Sequence, residues 1–246
     1  MAPHSELKIG GHLDTPDGKK EFCRRLFTEV APRYDFITRA LSFWRDASWK
    51  RDLIAALPSR PAPICLDLAC GTGAITFLLG QRYPGGRIIG ADITALMLDL
   101  ASRRNVLSNV HLVNLDMGRL AFAADSVDVV TGGYALRNAP DLETAIGEID
   151  RVLKPGGVAA FLDFSKPEGP LGQHIEYWIL KLWGGFWGAI LHRNPEVYGY
   201  IAESLSRFPD RVRLHDLFRK RGFAVVLSRL YFRGITELLV VRKATR

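Results

Sequence analysis

The sequence has little cysteine and no paired metal-ligand spacing. Its three cysteines, Cys23, Cys65 and Cys70, form no Cys-x-x-Cys pair, and its six histidines include no His-x-x-x-His pair. A sparse, odd set of cysteines excludes a disulfide framework and is typical of a reducing compartment. We therefore predict no metal cofactor and a cytoplasmic protein.

An uncharged apolar run of membrane-spanning length is absent as well, and the first residues lack the apolar core of an export signal. The most apolar stretch, residues 171–191, is interrupted by His174, Glu176 and Lys181 and contains several glycines. A spanning helix needs about 20 largely uncharged residues, which excludes a transmembrane segment here. The stretch predicts either a lid over a substrate or a core helix with large side chains.

Acidic residues are outnumbered by basic ones. The net charge is +7, from 33 basic and 26 acidic residues. Such a balance suits an anionic membrane surface or nucleic acid, and the alternative is the solvated surface of a basic protein. A length of 246 residues with 48% hydrophobic content suits one large domain, with or without appendages.

A glycine-rich turn is the most informative feature that is present. From residue 66 the chain reads LDLACGTG, after a short β-prone run, and a helical pattern begins at Ala74. A strand that feeds a glycine-rich turn and a helix N-terminus is a nucleotide-binding geometry, because glycine lets the backbone approach a ligand closely. A second strand ends at Asp92, about 20 residues on, where a carboxylate can accept hydrogen bonds from ribose hydroxyls.

Two details of this turn separate two classes of cofactor. A dinucleotide-binding turn has a third glycine where Thr76 stands, and it needs no acid at the position of Asp67. The pattern D-x-A-x-G-x-G resembles motif I of class I S-adenosylmethionine-dependent methyltransferases. A glycine-rich turn without any ligand is the alternative.

Apolar periodicity predicts strands that alternate with helices. The predicted strands are 64–68, 87–91, 110–114, 126–132, 157–164, 223–231 and 235–241. The predicted helices among them are 74–82, 94–104, 141–152, 171–191, 196–206 and 211–221. Alternation of this kind indicates an α/β fold with a doubly wound, mostly parallel seven-stranded sheet, and the last two strands predict an antiparallel edge hairpin.

Farther along the chain, three segments identify a branch of the superfamily. Residues 135–139 read ALRNA, residues 151–157 read RVLKPGG and residues 163–167 read DFSKP. In this order they resemble the quinone-ring C-methyltransferase family, which makes menaquinone and ubiquinone. Similar segments from Phe27 to Arg51 and from Tyr200 to Phe223 extend the resemblance over roughly residues 22–243.

The chain departs from that family's pattern at a few positions. Cys70 stands where the family often has glycine or threonine, and the family's S-F-G-L-R-N reads Gly133-Tyr134-Ala135-L-R-N here. The last strand ends in ELLVVR. These departures bear on the identity of the quinone more than on the reaction.

The resemblance implies a Rossmann-like class I methyltransferase fold and a division of the chain. Residues 1–18 are polar and predict a disordered tail, and residues 19–58 predict a helical cap. Residues 59–246 then form the methyltransferase domain, in which 168–208 is a helical insertion that covers the substrate.

The same resemblance implies a set of residues that bind S-adenosylmethionine. Asp116 and Met117 correspond to positions that contact adenine, although Asp116 as a plain helix N-cap is an alternative. The full set is Asp67, Gly71, Gly73, Thr76, Asp92, Ile93, Asp116, Met117 and Gly133.

Methyl transfer to a ring carbon needs an activated acceptor. Carbon is a poor nucleophile unless a neighbouring hydroxyl loses its proton, so the acceptor should be the reduced quinol. Arg137 is the candidate that lowers the pKa of a quinol hydroxyl or holds an activating water, Asn138 could hold the other oxygen, and Tyr34 could close over the site. For Arg137, a structural ion pair is the alternative.

A polyprenyl quinol is apolar, and its site should be apolar too. The candidates for a tail channel are Trp178, Trp183, Phe186, Trp187 and Tyr198. Basic residues beside that channel would hold the protein at the inner face of a membrane through a peripheral contact that weakens with salt. Nothing in the sequence determines the oligomeric state, so a homodimer is left as an alternative to a monomer.

Other functions compete with this interpretation. A class I methyltransferase of another apolar or phenolic small molecule and a non-catalytic quinone-binding relative both stay open. A nucleic-acid methyltransferase that acts on amino groups would carry N/D-P-P-Y where this chain has Gly132-Gly133-Tyr134-Ala135. We therefore expect no nucleic-acid partner.

Overall fold

The computed structural model describes residues 7–245, and at its centre lies a seven-stranded sheet of order β3-β2-β1-β4-β5-β7-β6. Its strands are β1 (Ile64–Leu68), β2 (Arg87–Asp92), β3 (Val110–Asn114), β4 (Val127–Gly133), β5 (Leu153–Phe164), β6 (Phe223–Tyr231) and β7 (Thr236–Lys243). The first five strands pair in parallel, whereas β7 runs antiparallel to both β5 and β6. The predicted fold class is confirmed.

Nine α-helices flank or cap this sheet in the part of the chain that the structure describes. They are α1 (Pro16–Val30), α2 (Tyr34–Leu41), α3 (Asp46–Ala55), α4 (Ala74–Arg82), α5 (Ala95–Ser102), α6 (Leu142–Val152), α7 (Pro170–His192), α8 (Glu196–Arg207) and α9 (Arg211–Lys220). Side chains cap several of them: Asp141 accepts from the Thr144 N–H and Asp210 from the Arg213 N–H. Such caps satisfy amide groups that have no partner inside the helix, which explains why the helices begin at these residues.

Strand β5 begins earlier than the sequence predicts. Leu153 pairs with Val127 and Val158 pairs with Val129, so the residues between Leu153 and Val158 form a bulge rather than a separate turn. Gly156 lies in this bulge with φ of +73°, a conformation that favours glycine. The bulge shifts the register once, and from the Val129–Val158 pair to the end of β4 at Gly133 the register is then unbroken.

The sheet buries a hydrophobic cluster on each face. In β1, Leu66 and Leu68 belong to the cluster under α6, α8 and α9, whereas Cys65 belongs to the cluster under α3 and α4. Successive side chains of a strand point to opposite faces, so this alternation follows from β geometry. Both faces are buried, which explains the near-continuous apolar runs of the central strands.

The N-terminal segment is ordered over its described residues, which corrects the predicted disordered tail. Residues Gly10–Asp14 form a 3-10 helix, and Leu7, Ile9 and Leu13 are buried in a third cluster with α1 and α8. The Ile9 N–H also donates to Glu196 at 2.9 Å. The prediction is wrong for residues 7–18 because their partners lie far away in sequence, and residues 1–6 lie outside the described part.

Helices α7 and α8 form an antiparallel hairpin with very close backbones. A Cβ on Gly184 would lie 2.5 Å from the Tyr198 carbonyl oxygen, and one on Gly188 would lie 2.5 Å from the Asn194 carbonyl oxygen. The glycines that weaken α7 as an isolated helix therefore permit this packing. None of the helices in residues 7–245 has the length and apolarity needed to cross a membrane.

Candidate active site

The glycine-rich turn lies at the carboxyl end of β1, in the centre of the sheet. Gly71 has φ of +54° and Gly73 has φ of +87°, which residues with a Cβ rarely adopt. Gly73 is the residue that directly precedes α4, so the turn carries the chain from the strand into the helix. In an open α/β sheet, ligands bind outside the carboxyl ends of the strands at the point where the strand order reverses.

Asp67 lies beneath this turn. Its Oδ2 accepts from the Thr76 hydroxyl at 2.6 Å and its Oδ1 accepts from the Thr131 hydroxyl at 2.7 Å. Burial raises the pKa of Asp67 to about 6, and the two hydroxyl bonds oppose that rise. Asp67 therefore ties β1 to α4 and β4, and neither Asp67, Thr76 nor Gly73 lines the cavity above the turn. Direct contact of Asp67, Gly73 and Thr76 with a cofactor stays a prediction.

Asp92 joins the ends of β1 and β2. One carboxylate oxygen accepts from the Gly71 N–H at 2.8 Å and the other accepts from the Thr94 N–H at 2.8 Å. Burial raises the pKa of Asp92, while the backbone donors lower it. Each carboxylate oxygen has a second lone pair, so Asp92 can still accept hydrogen bonds from a ligand hydroxyl.

A first cavity opens above these residues, and we call it the cofactor cavity. Of the residues predicted to bind the cofactor, those that line it are Gly71, Asp92, Ile93, Asp116, Met117 and Gly133. Helix α1 covers one side, because Lys20 forms an ion pair of 2.6 Å with Asp116 and also lines the cavity. Asp116 also accepts a hydrogen bond from the Gly118 N–H. The same side chain therefore stabilises the local turn and lines the cavity.

Beside it lies a second cavity with a mostly apolar wall, which we call the acceptor cavity. Its lining includes Phe43, Trp49, Phe164, Trp183, Tyr198, Tyr200 and Phe232, with Arg137 as its charged member. The two cavities share Phe27, Tyr34, Tyr134 and Asn138 as lining residues. A polar ligand in one cavity and an apolar ligand in the other would therefore meet at these shared residues.

Arg137 is held in place on several sides. Its backbone N–H donates to Asp163 Oδ2 at 3.1 Å, its Nε lies 3.7 Å from Asp163 Oδ1, and its Nη1 donates to the Ser204 hydroxyl. The guanidinium also lies over the rings of Phe164 and Tyr200, at 5.3 and 5.6 Å from their centres. The ion pair that the sequence left as an alternative is therefore present, in a side chain that also lines the acceptor cavity.

Burial raises the pKa of Asp163, and the nearby Arg137 opposes this. A fully desolvated carboxylate beside a guanidinium keeps the arginine oriented, since an unpaired buried charge would be costly. Sequence reasoning missed Asp163 as a partner of the site, although DFSKP was part of the recognised pattern.

Asn138 and Tyr34 lie at the junction of the cavities. The Asn138 Nδ2 donates to the Tyr134 carbonyl at 2.6 Å, and its Oδ1 accepts from the Tyr200 hydroxyl at 3.1 Å. One amide hydrogen remains for a ligand. The ring of Tyr34 lies 3.5 Å from where a Cβ of Gly71 would be, and burial raises the pKa of its hydroxyl.

A buried polar group at the junction was missed altogether. The Tyr134 hydroxyl donates to Asp46 at 2.9 Å, and Asp46 forms an ion pair of 2.7 Å with Lys50. Tyr134 has φ of +56°, an uncommon conformation for a bulky residue that clusters at functional sites. The only signal in the sequence was Tyr134 at the phenylalanine position of the family pattern, and its partner lies in the helical cap.

The aromatic residues predicted for a tail channel divide into two groups. Trp183 and Tyr198 line the acceptor cavity, and Tyr198 bonds to His192 at 3.0 Å. Trp178, Phe186 and Trp187 are not among the residues that line it, so their contact with a tail stays a prediction. The helical turn sends Trp178 and Phe186 to the exposed side of α7, and Trp187 packs against Phe36.

Comparison with known proteins agrees with this geometry. A model of the ubiE/COQ5 methyltransferase family matches residues 16–241. A protein of Symbiobacterium thermophilum named demethylmenaquinone methyltransferase is 34% identical over 242 residues, which cover 93% of this chain and 95% of that protein. A protein of the same name from Geobacillus stearothermophilus is 31% identical over 224 residues, 89% of this chain and 96% of its own.

Solved structures share the fold at low sequence identity. An S-adenosylmethionine-dependent methyltransferase from Mesorhizobium loti has a TM-score of 0.59 at 16% identity, covering 80% of this chain and 98% of that one. The cyclase SpnF has a TM-score of 0.64 at 16% identity, covering 89% and 96%. A fold shared with a cyclase does not determine the reaction, so function has to be argued from the site.

Proposed function

This chain belongs to the ubiE/COQ5 methyltransferase family, and from that premise we propose that it methylates a ring carbon of a reduced polyprenyl quinone precursor. S-adenosylmethionine is its cofactor and methyl transfer its activity, as for the family. The names of the relatives favour demethylmenaquinol as the acceptor, with a demethyl benzoquinol as the second choice. The observation that carries the proposal is the pair of joined cavities, one with the carboxylates of Asp92 and Asp116 in its wall at the sheet edge and one with a mostly apolar wall.

The residues of the cofactor cavity fit S-adenosylmethionine. Asp92 would accept from the ribose hydroxyls, Asp116 from the adenine amine, and Met117 would pack on the ring face, while Gly71 leaves room for close approach. Asp67 and Thr76 would support the turn from below. When bound, the cofactor supplies a methyl group on a sulfonium, which is already electrophilic.

The acceptor must supply a nucleophilic carbon. Loss of the proton from a ring hydroxyl makes the quinol electron-rich at the neighbouring carbon, and the fixed charge of Arg137 favours the deprotonated form. The deprotonated quinol would attack the methyl group through that ring carbon, and the electron pair of the methyl–sulfur bond would stay on sulfur. The hydrogen on the attacked carbon would then leave as a proton to water, which restores the aromatic ring. Asn138 would donate its free amide hydrogen to a quinol oxygen.

Alignment and exclusion of water complete the proposed mechanism. Tyr34 and Tyr134 form the shared wall of both cavities, so they would hold the acceptor ring in line with the methyl group. Correct placement of two reactants can supply on the order of 7–11 kcal/mol of a barrier. We assign this covering role to the cap, residues 19–58, and to the insertion, residues 168–208, which supply most of the acceptor cavity's lining.

The apolar wall of the acceptor cavity also suits a polyprenyl tail. Such a tail resides in a lipid bilayer, so the enzyme should meet its acceptor at the membrane surface. We therefore place a peripheral membrane contact at the inner face of the membrane, favoured by the net charge of +7. Contact of this kind weakens as the salt concentration rises.

The direct test is methyl transfer from labelled S-adenosylmethionine. The purified protein is incubated with chemically reduced demethylmenaquinol or demethyl benzoquinol, and label is counted in the organic extract. Label in one quinol, with none when the same quinone is supplied oxidised, is the expected result. If neither quinol is labelled while calorimetry shows that the cofactor binds, the quinone assignment is wrong and another apolar acceptor must be sought.

A further inference from the structure

The outer face of α7 is almost entirely apolar. At spacings of three and four residues it exposes Ile175, Trp178, Leu182 and Phe186, and Leu182 is 67% exposed. Among the exposed side chains of this helix, His174 is the only polar one. Spacing of this kind places the residues on one side of the helix. Soluble proteins rarely leave a continuous apolar surface of this length uncovered.

The loop between α2 and α3 extends this apolar surface. Phe43 and Trp44 are 60% and 65% exposed. Phe43 stacks on Trp183 with ring centres 5.4 Å apart, and Trp183 stacks on Phe186 at 5.8 Å. Helix α7 and the loop therefore form one surface. We call Ile175, Trp178, Leu182, Phe186, Phe43 and Trp44 the docking face.

The docking face borders the place where the wall of the acceptor cavity reaches the surface, and we call this place the entrance. Phe43 and Phe232 line the cavity and are also exposed at the surface, and their rings meet edge to face at 5.8 Å. An apolar molecule that passes beside these rings would leave an apolar surface and reach an apolar cavity without crossing water. The surface and the cavity are thus continuous.

Backbone conformation at the loop tips supports a selected function. Phe43, Trp44 and Phe232 have φ of +48°, +62° and +48°, in the left-handed region that bulky residues avoid. Such a conformation costs of order 1–3 kcal/mol per residue and persists mainly at functional sites. The amides of Phe43 and Trp44 donate to the Ala40 and Arg39 carbonyls and so close the C-terminus of α2, a position where glycine is usual and an exposed aromatic side chain is not.

Arginines without carboxylate partners stand around the docking face. Arg39 and Arg45 flank the loop, Arg233 follows Phe232, and Arg193 follows α7; all are exposed. In the part of the chain that the structure describes, none of these has an ion pair. Unpaired cations beside an apolar surface complement the anionic headgroups and the acyl region of a bilayer.

We propose that the protein docks on an anionic lipid bilayer through the docking face, with the entrance to the acceptor cavity against the membrane. This inference rests on the proposed function, which supplies the reason for a lipid-soluble acceptor. A second copy of the chain fits this surface less well, because the rim arginines would face one another and the entrance would be closed. On a membrane, the rim arginines would instead face anionic headgroups, and the entrance would stay open toward the lipid.

Vesicle flotation tests this assignment. Wild-type protein is mixed with phosphatidylglycerol–phosphatidylcholine vesicles and compared with Trp44→Ser/Leu182→Ser, whose side chains do not line the acceptor cavity. Loss of two exposed apolar side chains that would insert into the bilayer should weaken binding at least about tenfold. Val106→Ser is the matched control, since Val106 is 92% exposed beyond α5 and away from this face. It should bind like the wild type.

A charge series tests the rim. Arg45→Gln and Arg233→Gln should each lower affinity for the anionic vesicles roughly fivefold at low salt. The difference should disappear at high salt or with phosphatidylcholine alone. Arg87→Gln, at the opposite end of the sheet where β2 begins, is the matched control and should change nothing.

The outcomes separate the docking face from the proposed function. Methylation of a short-chain, water-soluble quinol should be the same in Trp44→Ser/Leu182→Ser and in the wild type. If the wild type does not bind the vesicles, or if Trp44→Ser/Leu182→Ser binds them as tightly as the wild type, the docking face is wrong. This holds even if the quinol is methylated. Face-dependent binding without any quinol methylation leaves the docking face standing and removes the quinone assignment. A wild-type dimer that the variant converts to a monomer, with equal vesicle binding, assigns the face to a second copy and overturns the proposal.

Discussion

The Tyr134 hydroxyl donates a hydrogen bond of 2.9 Å to Asp46, across 88 residues of sequence. Asp46 is buried and its other oxygen lies 2.7 Å from the Lys50 ammonium, so a tyrosine, a carboxylate and an ammonium share one desolvated site. Because Tyr134 lines both cavities, this contact fixes the wall between cofactor and acceptor to the helical cap. The cap is therefore part of the site's architecture.

Replacing Tyr134 with phenylalanine should destabilise the protein. The change leaves one oxygen of buried Asp46 without its donor, which costs about 1–3 kcal/mol. Asp46→Asn should cost more, about 3–5 kcal/mol, because it leaves the Lys50 ammonium buried without a counter-charge. Urea unfolding gives the free energies.

Tyr231→Phe is the matched control for this pair. Tyr231 donates to Asp52 at 2.7 Å, but Asp52 is partly exposed, and water can replace the lost donor. We expect a loss below about 1 kcal/mol. Equal losses at Tyr134 and Tyr231 would contradict the argument from burial.

Arg137→Lys should lower the turnover number roughly 10²-fold while cofactor affinity stays unchanged. Lysine keeps a charge but loses the flat guanidinium that lies between Phe164 and Tyr200 and reaches Ser204. Labelled methyl transfer gives the rate, and calorimetry gives the affinity for S-adenosylmethionine. Arg151→Lys, which changes an arginine that holds the carbonyls of Leu120 and Phe122, is the control outside both cavities. Full activity of Arg137→Lys would remove Arg137 from the mechanism.

Stability should fall with rising pH because of Glu176. Burial raises the pKa of this carboxyl from 4.5 to about 8, and its Oε1 has no hydrogen-bond partner. Between these values the folded protein keeps a proton that the unfolded chain has lost, so the free energy of unfolding decreases as the pH rises and the loss is complete above about pH 8.

Glu176→Gln removes this titration. The stability of the variant relative to wild type should therefore increase between pH 6 and pH 9, measured by urea unfolding at each pH. Exposed Glu143 offers the control, and Glu143→Gln should show no such trend. A constant difference between Glu176→Gln and wild type across this range would show that Glu176 titrates normally.

The close contact of α7 and α8 gives a prediction from paired glycines. Gly184→Ala places a methyl group against the Tyr198 carbonyl and should destabilise the protein by about 1–3 kcal/mol despite the higher helix propensity of alanine. Gly185→Ala meets only Pro195, with its Cβ at 3.6 Å and its carbonyl oxygen at 3.9 Å, and should be neutral or stabilising. Thermal unfolding compares them, and an equal effect of both changes would mean that the hairpin is looser than the structure shows.

Much of the fold and part of the site could be predicted from local sequence. Strands β1, β3 and β6 match their predicted bounds, because apolar runs of strand length lie between clear turn signals. The turn at Gly71 and the acid at Asp92 were also predicted, since spacing along adjacent parallel strands determines which side chains share the sheet edge. The start of β5 was missed because Gly156-Gly157 resembles a turn. In the structure these residues lie in a bulge, and Leu153 before it still pairs with Val127 of β4.

Residues that act through distant partners could not be predicted. Asp67 stands at a recognisable position of the motif, but its oxygens accept from the Thr76 and Thr131 hydroxyls. Thr131 lies 64 residues away in sequence, and only the fold brings it to Asp67. Trp178 and Trp183 belong to one apolar stretch, but the helical turn and the position of α8 send one outward and the other to the acceptor cavity.

Local sequence was enough to predict the succession of strands and helices along the chain, the nucleotide-binding turn and the family. Each of these depends on residues that are close together in the chain. Only the three-dimensional packing shows that Asp46 bonds to Tyr134, that Asp163 pairs with Arg137, and that α7 and the loop between α2 and α3 share one exposed apolar face. These features join segments far apart in sequence, and their geometry depends on packing, which no local pattern encodes.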